Sequence, residues 1–306
     1  MRSLSLTAAA KVNLYLEITG DRADGYHELV MVLQSIDLRD RVTLRLRSDD
    51  QITLDVLPNG MVPADASNLA YRAARALFDR TPNVGGVHIT LEKHIPVGAG
   101  LAGGSTDGAA VLVGLNQLWE LGLSQTDLCG LAAQLGSDVP FCLLGGTVLA
   151  TGRGEVLSPL PNVVPVALVL AKPRSLSVST VWAYQTFRAE RLLATSPKQG
   201  QRYSQNLLRA LNQQAAAAEW APWLYNDLER VVLPHYRAIA DLKAALQSPP
   251  PDLQPLQVLM SGSGAAVFAL CNGRPQAHAL REFLIQTQPE VEAWVVHSQG
   301  HSIELD

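Results

Sequence analysis

The chain has 306 residues, of which 47% are hydrophobic and 17% charged, and its formal net charge is −4. This length predicts about two domains, and the composition is typical of a globular protein rather than a disordered one. The acidic balance excludes the basic surface with which nucleic-acid-binding proteins hold phosphates, so we expect no nucleic acid as a partner.

The three cysteines, Cys129, Cys142 and Cys271, are far apart and stand in apolar surroundings. No CxxC pair and no metal-ligand spacing occurs, which indicates buried free thiols in a reducing compartment. The longest apolar run, residues 163–171, contains a proline and is about half as long as a membrane span. The N-terminal segment resembles a signal peptide only faintly, because its apolar stretch is short and interrupted. We therefore expect a cytoplasmic protein with no membrane partner.

Three segments of the first half alternate between apolar and polar residues, as strands of a half-buried antiparallel sheet do. They cover residues 42–47, 52–56 and 87–91. The polar turn between the first two predicts that they form a hairpin.

Helical patterns lie on both sides of a glycine-rich segment. Residues 67–80 carry an apolar stripe, with Ser67 as the predicted N-cap. A second helix is indicated at residues 111–119. A third is expected between an N-cap at Ser124 and a stop at Gly136.

The second half reads mostly as helices with a few strands. Strands are predicted around residues 147–150, 165–171 and 291–297, helices at 181–194, 203–219 and 226–247, a loop at 248–256, and a strand, glycine turn and strand over 256–270. This order favours the α+β class, with a first domain over residues 1–160 and a second over 161–306.

The segment HIPVGAGLAGGSTDGAAVL, residues 94–112, contains the GxGxxG spacing of a dinucleotide-binding loop at Gly98, Gly100 and Gly103. Such a site needs a buried parallel strand before the loop, a second strand after its helix and an acidic residue at the end of that strand. Here the preceding segment alternates and contains Pro96, and a capped helix follows instead of a strand. A Walker A loop is excluded because no lysine follows the glycines.

Two interpretations of the glycines remain open. They either allow a helix to pack closely on a sheet, or they bring main-chain N–H groups at a helix N-terminus to a phosphate. Ser105 and Thr106 are able to bind phosphate oxygens or a metal ion, and Asp107 either acts on magnesium or caps the helix. We favour phosphate binding. A second glycine turn, MSGSGAAVF at residues 260–268, fits a hairpin turn as well as a phosphate or substrate loop.

Phosphoryl transfer needs a base near the acceptor hydroxyl and a cation near the transferred group. Asp138 follows the predicted helix end at Gly136, on irregular backbone, and is the candidate base. The alternative is a turn aspartate that hydrogen-bonds its own backbone. Lys11 begins an apolar strand, where its charge either finds a partner or extends from the strand edge. Asp138 and Lys11 form a candidate acid–cation pair, although the sequence alone does not show that the two side chains meet.

The motifs together resemble the GHMP kinases, the superfamily of galactokinase, homoserine kinase and mevalonate kinase. PVGAGLAGGSTDGAAVL resembles their phosphate-binding motif, and MSGSGAAVFAL resembles their C-terminal glycine motif. AKVNLYLEITGDRADGYHELVMVLQSIDLRD and LGSDVPFCLLGGTVLATGRGE resemble the branch that phosphorylates a cytidine diphosphate ester of a polyol in the non-mevalonate isoprenoid pathway.

This resemblance implies a two-domain α+β GHMP kinase fold. Its N-terminal domain would be like the second domain of ribosomal protein S5, its C-terminal domain would be ferredoxin-like, and the active site would lie in the cleft. The resemblance further implies small-molecule substrates, ATP as co-substrate with Mg²⁺, and a monomer or weak homodimer.

The resemblance also assigns residues by position. Asp138 matches the catalytic base and Lys11 its partner. Tyr26 and His27 match a cytosine pocket, in which Tyr184 would be the second stacking aromatic ring. The implied substrate-binding set is Asn13, Tyr26, His27, Asp138, Thr180 and Tyr184. The implied ATP-binding set is Asn68, Leu69, Lys93, Pro96, Gly98, Gly100, Leu101, Ala102, Gly103, Gly104, Ser105, Thr106 and Asp107.

Departures from the family pattern are modest. Ala102 replaces a common glycine and adds a methyl group close to the phosphate loop, Tyr184 replaces a frequent phenylalanine, and Ala10 stands in a segment often led by proline. None of these changes removes a catalytic group. Two alternatives stay open, namely another small-molecule kinase of this family and a non-catalytic binding module on the same fold.

Overall fold

The computed structural model describes residues 2–81, 84–195 and 200–306, with the backbone alone at 194–195 and 200–202. The first sheet contains β1 (Ser3–Asp21), β2 (His27–Leu46), β3 (Ile52–Leu57), β4 (Val87–Glu92), β5 (Thr147–Gly152), β6 (Val156–Pro159), β8 (Tyr225–Asn226) and β12 (Ile303–Leu305), and the second contains β7 (Ala167–Pro173), β9 (Gln257–Met260), β10 (Val267–Cys271) and β11 (Val291–His297). The helices are α1 (Leu69–Phe78), α2 (Gly103–Leu118), α3 (Gln125–Leu135), α4 (Val139–Leu144), α5 (Thr180–Ala189), α6 (Gly200–Asn212), α7 (Ala217–Trp220), α8 (Glu229–His235), α9 (Arg237–Gln247) and α10 (Arg274–Thr287).

The first sheet runs in the order β12-β1-β2-β4-β3. The predicted hairpin between residues 42–47 and 52–56 is wrong, because β4 lies between β2 and β3 and pairs antiparallel with β2 and parallel with β3. The chain passes through α1 between β3 and β4, and a helical crossover makes a parallel pair possible. The alternation of apolar residues is the same for both pairings, so the sequence pattern does not distinguish them.

The helices of the first half cover this sheet. α2 packs against β1 and β2, and Gly114 permits the approach, since a Cβ there would overlap the side chain of Leu44. The prediction for α3 is confirmed, with a capping box at Ser124 and an end at Gly136. The prediction of Ser67 as the cap of α1 is wrong, because Asn68 accepts from the N–H of Ala70 instead.

The second sheet has the order β11-β7-β10-β9 with antiparallel neighbours. α9 and α10 pack on it, which gives the predicted ferredoxin-like arrangement. The helix predicted over 226–247 is in fact β8 followed by α8 and α9, with Pro234 in the last turn of α8. The helix predicted over 203–219 likewise divides into α6 and α7. α10 and β12 were not predicted.

The C-terminal half of the chain also contributes to the first sheet. The predicted boundary near residue 160 falls between β6 and β7, yet β8 and β12 both pair with β1. All three cysteines are free thiols, and Cys129 is partly exposed rather than buried. Within the described ranges, no helix has the length and apolar character required to cross a bilayer.

Candidate active site

A cavity of about 780 Å³ opens where the two sheets meet. This volume is in the range of small-molecule sites. Its walls come from β1, the start of β2, the segment before α2, α5 and the loop between β9 and β10. The predicted site residues that line it are Lys11, Asn13, Tyr26, His27, Leu69, Lys93, Pro96, Gly98, Gly100, Leu101, Ala102, Gly103, Gly104, Ser105, Asp138, Thr180 and Tyr184.

The glycine-rich segment ends in the N-terminus of α2, which faces this cavity. The first bond within the helix is donated by the N–H of Thr106 to the carbonyl of Ala102. The N–H groups of Gly103, Gly104 and Ser105 precede it, and the first turn of a helix has no internal acceptors for such groups. They therefore present donors and partial positive charge to an anion in the cavity.

The second glycine turn packs directly on the first. The N–H of Ala265 donates to the carbonyl of Gly98 at 3.3 Å, and that of Ala266 donates to Ala99 at 3.2 Å. Ser261 Oγ donates to the carbonyl of Gly100 at 3.1 Å. Gly100 has a φ of +74°, and a Cβ there would overlap the carbonyl oxygen of Ser261. Main-chain contact thus locks the two loops together.

Lys11 lies in the middle of β1 rather than at the start of a strand. Its side chain is buried, and Nζ donates to Asn13 Oδ1 at 2.6 Å and to the carbonyl of Gly100 at 2.8 Å. Asp138 Oδ2 is 4.0 Å from the same Nζ. The structure therefore brings together the acid and the cation that are far apart in the sequence.

Asp138 occupies the N-cap position of α4, a short helix that was not predicted. Its carboxylate makes no hydrogen bond to the helix backbone, and the side chain is 36% exposed. A carboxylate that is held beside a lysine and open to the cavity is available to a substrate hydroxyl.

A buried ion cluster lies behind the phosphate end of the cavity. Lys93 Nζ, also at the cavity wall, contacts Asp40 Oδ2 and donates to Asp107 Oδ2 at 2.5 Å. Asp40 Oδ1 accepts from the N–H groups of His94 and Ile95. Burial, with the nearby charge of Asp40, raises the pKa of Asp107 to about 7, and the ammonium of Lys93 opposes that shift.

Three of the residues assigned to ATP do not line the cavity. Asp107 is buried in the ion cluster, so its carboxylate neither faces the cavity nor caps α2, whose N-cap position is Ala102. Thr106 is also buried, with Oγ1 3.4 Å from Ser302 Oγ. Asn68 serves as the cap of α1.

Aromatic side chains line a second part of the cavity, its aromatic end. The ring of His27 lies 5.3 Å from that of Tyr184 at an angle of 34°. Tyr26 is 54% exposed, with the guanidinium of Arg153 4.9 Å from its ring centre. Thr180 Oγ1 lies 2.9 Å from Ser263 Oγ. This end offers flat apolar faces together with polar edges, which suits a heterocyclic base.

His27 is buried, and its Nε2 has no hydrogen-bond partner within the described part of the chain. Asp21 Oδ1 lies 3.4 Å from that nitrogen. Burial lowers the pKa of His27 most, the charge of Arg188 lowers it further, and Asp21 opposes both. The imidazole is therefore neutral near pH 7, and its Nε2 is enclosed on the side of Asp21.

Several cavity or supporting residues were missed by the sequence analysis. They are Asp40, Ser137, Arg153 and Arg188, together with Ser261 and Ser263 of the second glycine turn, which were not named individually. Arg153 stands in the short glycine turn GRG, which could have indicated a functional position. Asp40 and Arg188 follow no local pattern, because their partners are distant in the sequence.

Two family models match the chain. The GHMP kinases N terminal domain matches residues 68–146, and the GHMP kinases C terminal model matches residues 206–290. The chain is 49% identical to the 4-diphosphocytidyl-2-C-methyl-D-erythritol kinase of Trichormus variabilis, over 100% of this chain and 99% of that protein. It is 50% identical to the protein of that name from Gloeobacter violaceus, over 100% and 98%.

Two solved structures of kinases are similar to the chain over nearly its whole length. A 4-(cytidine 5'-diphospho)-2C-methyl-D-erythritol kinase has a TM-score of 0.79 at 34% identity, over 97% of this chain and 100% of that one. A homoserine kinase from Cytophaga hutchinsonii has a TM-score of 0.76 at 19% identity, over 100% and 98%, which shows a common fold.

Proposed function

The chain belongs to the GHMP kinase family, and from that premise we propose how its cavity transfers a phosphoryl group. It is an ATP-dependent kinase that acts on a small molecule. We propose that the γ-phosphate of ATP passes to the 2-hydroxyl of 4-diphosphocytidyl-2-C-methyl-D-erythritol in the non-mevalonate isoprenoid pathway. One observation carries the proposal. The Asp138–Lys11 pair, the N-terminus of α2, which is suited to phosphate, and the aromatic residues all line the same cavity.

Asp138 is the proposed base. Its carboxylate accepts the proton of the acceptor hydroxyl as the oxygen attacks the γ-phosphorus, and the bond from that phosphorus to the β-phosphate oxygen breaks. Lys11, fixed by Asn13 and by the carbonyl of Gly100, stands beside the carboxylate and stabilises the negative charge that develops on the transferred group.

The phosphate groups of ATP are proposed to lie on the N-terminus of α2. The free N–H groups of Gly103, Gly104 and Ser105 would bind their oxygens, and the packed second loop keeps this surface in place. Leu69, Lys93 and the segment from Pro96 onward line the same part of the cavity and form the proposed nucleotide side.

A magnesium ion would neutralise phosphate charge when bound. Among the described residues, no three His, Cys, Asp or Glu side chains cluster as a metal site. This fits Mg²⁺, which binds kinases through few protein oxygens together with phosphates and water. Ser105, which lines the cavity, is the proposed protein ligand of the magnesium ion. Asp107 is not proposed as a ligand, because its carboxylate pairs with Lys93.

The cytosine is proposed to lie at the aromatic end. Tyr26 and Tyr184 offer ring faces for stacking, and the imidazole of His27, which also lines the cavity, would bond the base edge. Asn13 and Thr180 would orient the polyol between the base and Asp138. The free cysteines support a reducing, cytoplasmic setting for the enzyme.

The decisive test combines a substrate comparison with a variant. With ATP and magnesium, the purified protein is expected to form ADP faster with the cytidyl substrate than with galactose, mevalonate or homoserine. Asp138→Asn is expected to lower kcat by roughly 10²–10⁴-fold, with ATP affinity nearly unchanged in calorimetry. Asp241→Asn, which changes an exposed acid on α9, is the matched control.

Full activity of Asp138→Asn would contradict the base assignment. A preference for one of the other three alcohols would contradict the choice of substrate. Tight ATP binding with no turnover on any alcohol would instead favour a non-catalytic binding module.

A further inference from the structure

Arg188, near the end of α5, connects two walls of the aromatic pocket. Its Nη1 donates to the carbonyl of Gly25 at 2.9 Å, and its Nη2 donates to the carbonyl of Tyr26 at 2.8 Å. Its Nε donates to Asp21 Oδ1 at 3.1 Å. One guanidinium therefore holds three acceptors, one at the end of β1 and two in the turn that follows, all more than 160 residues away in the sequence.

The two elements joined by Arg188 carry the two sides of the pocket. The turn leads into Tyr26 and His27, and α5 carries Thr180 and Tyr184. Residues four apart on a helix lie on the same face, so Arg188 is adjacent to Tyr184. Arg188 thus adds a hydrogen-bonded link between the Tyr26 side and the Tyr184 side, beside the ring contacts of His27 with Tyr184 and Phe187.

The acceptors make the contact specific for arginine. Two of them are main-chain carbonyls at neighbouring residues, and a planar fork of N–H groups fits them together with a carboxylate. A lysine at the same position keeps the charge but has a single nitrogen, which cannot reproduce this geometry.

On the basis of the proposed function, we propose that Arg188 is a positioning residue that fixes the width of the cytosine pocket and thereby determines specificity for a cytidyl substrate. It acts through the main chain of Gly25 and Tyr26, not by contact with the base. The competing role is direct contact with the diphosphate of the substrate, since Arg188 also lines the cavity.

Cytidine separates these two roles because it has the base but no phosphate. We measure Kd for cytidine, and KM and kcat for the cytidyl substrate and for ATP, in the wild type, Arg188→Lys and Arg188→Gln. Arg237→Gln, which removes an arginine from an exposed helical ion pair, is the control. Hydrogen exchange of the amides of residues 22–27 reports the order of the turn directly.

Both Arg188 variants are expected to weaken cytidine and the cytidyl substrate by the same factor, roughly tenfold for the loss of these hydrogen bonds. Exchange of the turn amides accelerates, whereas kcat, the KM for ATP and the melting temperature stay at the values of the control. Arg188→Lys does not restore binding.

Three results would overturn the proposal. Unchanged cytidine binding with a weakened substrate indicates a phosphate contact, and full rescue by lysine indicates that charge alone matters. Unchanged exchange in the turn shows that the contact does not order it. If the wild type neither binds cytidine nor uses the cytidyl substrate, the proposed function itself fails, and this inference with it.

Discussion

The phosphate end and the aromatic end of the cavity differ in the chemical groups that line them and in the burial of their supporting charges. At the phosphate end, glycine loops line the cavity, and the charges of Lys93, Asp40 and Asp107 are buried beside them. At the aromatic end, side chains line the cavity, and the supporting ion pair of Arg188 and Asp21 is substantially exposed.

The ligands proposed for the two ends account for this contrast. A phosphate has the same shape in every nucleotide, so fixed N–H groups recognise it and rigidity is an advantage. A base is distinguished by its rings and edges, which side chains can match. The buried end should therefore respond to substitution mainly through stability and geometry, and the exposed end mainly through affinity.

Removing the lysine at the centre of the buried cluster is expected to have the largest effect. Lys93→Met leaves the carboxylates of Asp40 and Asp107 without their cation, which should cost about 3–5 kcal/mol of unfolding free energy. Arg2→Met breaks an exposed pair with Glu120, and its cost should be below about 1 kcal/mol. Urea denaturation measures both, and equal losses would contradict the cost assigned to the buried charges at the phosphate end.

Separating the two glycine loops should be the next largest effect. In Gly100→Ala, the new methyl group overlaps Ser261, so the carbonyl that holds Lys11 must move. We expect kcat to fall roughly hundredfold, as for a catalytic group misplaced by about 1 Å. Gly122→Ala is the matched control, because its φ of +66° is similar but nothing lies within 4 Å of the added Cβ.

The activity of Gly122→Ala should stay close to that of the wild type. If both variants lose activity equally, the backbone conformation of glycine matters and not the contact between the loops.

A ring deletion at the aromatic end should affect affinity alone. Tyr184→Ala removes one of the aromatic rings that line this end and should weaken the cytidyl substrate by about 1–3 kcal/mol. Tyr184→Phe keeps the ring and should bind almost as well as the wild type. Steady-state kinetics with each substrate varied in turn checks this, and a comparable rise in the KM for ATP would show that the two ends are not separate.

The smallest expected effect is a pH dependence of stability. The pKa of Asp107 is raised to about 7 in the folded protein, above its value in the unfolded chain. The folded state thus binds more protons, and the contribution of Asp107 to stability decreases as the pH rises from 4 through 7. In Asp107→Asn, melting temperatures measured from pH 5 to 8 should lack this decrease, so the variant gains relative to the wild type as the pH rises. A constant difference would contradict the raised pKa.

Local sequence patterns were enough for much of the fold. The apolar period predicted α1, period and capping predicted α3, and two apolar runs around a glycine turn predicted the strand pair β9–β10, because these signals are local in the sequence. The order of β3 and β4 was not predictable from alternation, since parallel and antiparallel partners show the same pattern. α10 and β12 were not predicted, although α10 packs on the second sheet and β12 pairs with β1 in the first.

The candidate site shows the same division. The glycine motif indicated a phosphate-binding helix N-terminus, and the resemblance named Lys11, Asp138, His27 and Tyr184, all of which line one cavity. Asp107 was expected at the phosphate because it follows the glycines in the first turns of a helix. Its side chain points instead to Lys93, since successive residues of a helix face different directions.

The kinds of groups available are already evident in the order of residues: glycines before a helix, a lysine in an apolar strand, an acid after a helix end and aromatic residues in a turn. Which of these groups contact each other depends on how the elements pack. Lys11 donates to the carbonyl of Gly100, which is 89 residues away in the sequence. Arg188 donates to the carbonyl of Tyr26, which is 162 residues away. Periodicity describes neighbours along the chain, whereas these contacts depend on how the two sheets and their loops pack in space.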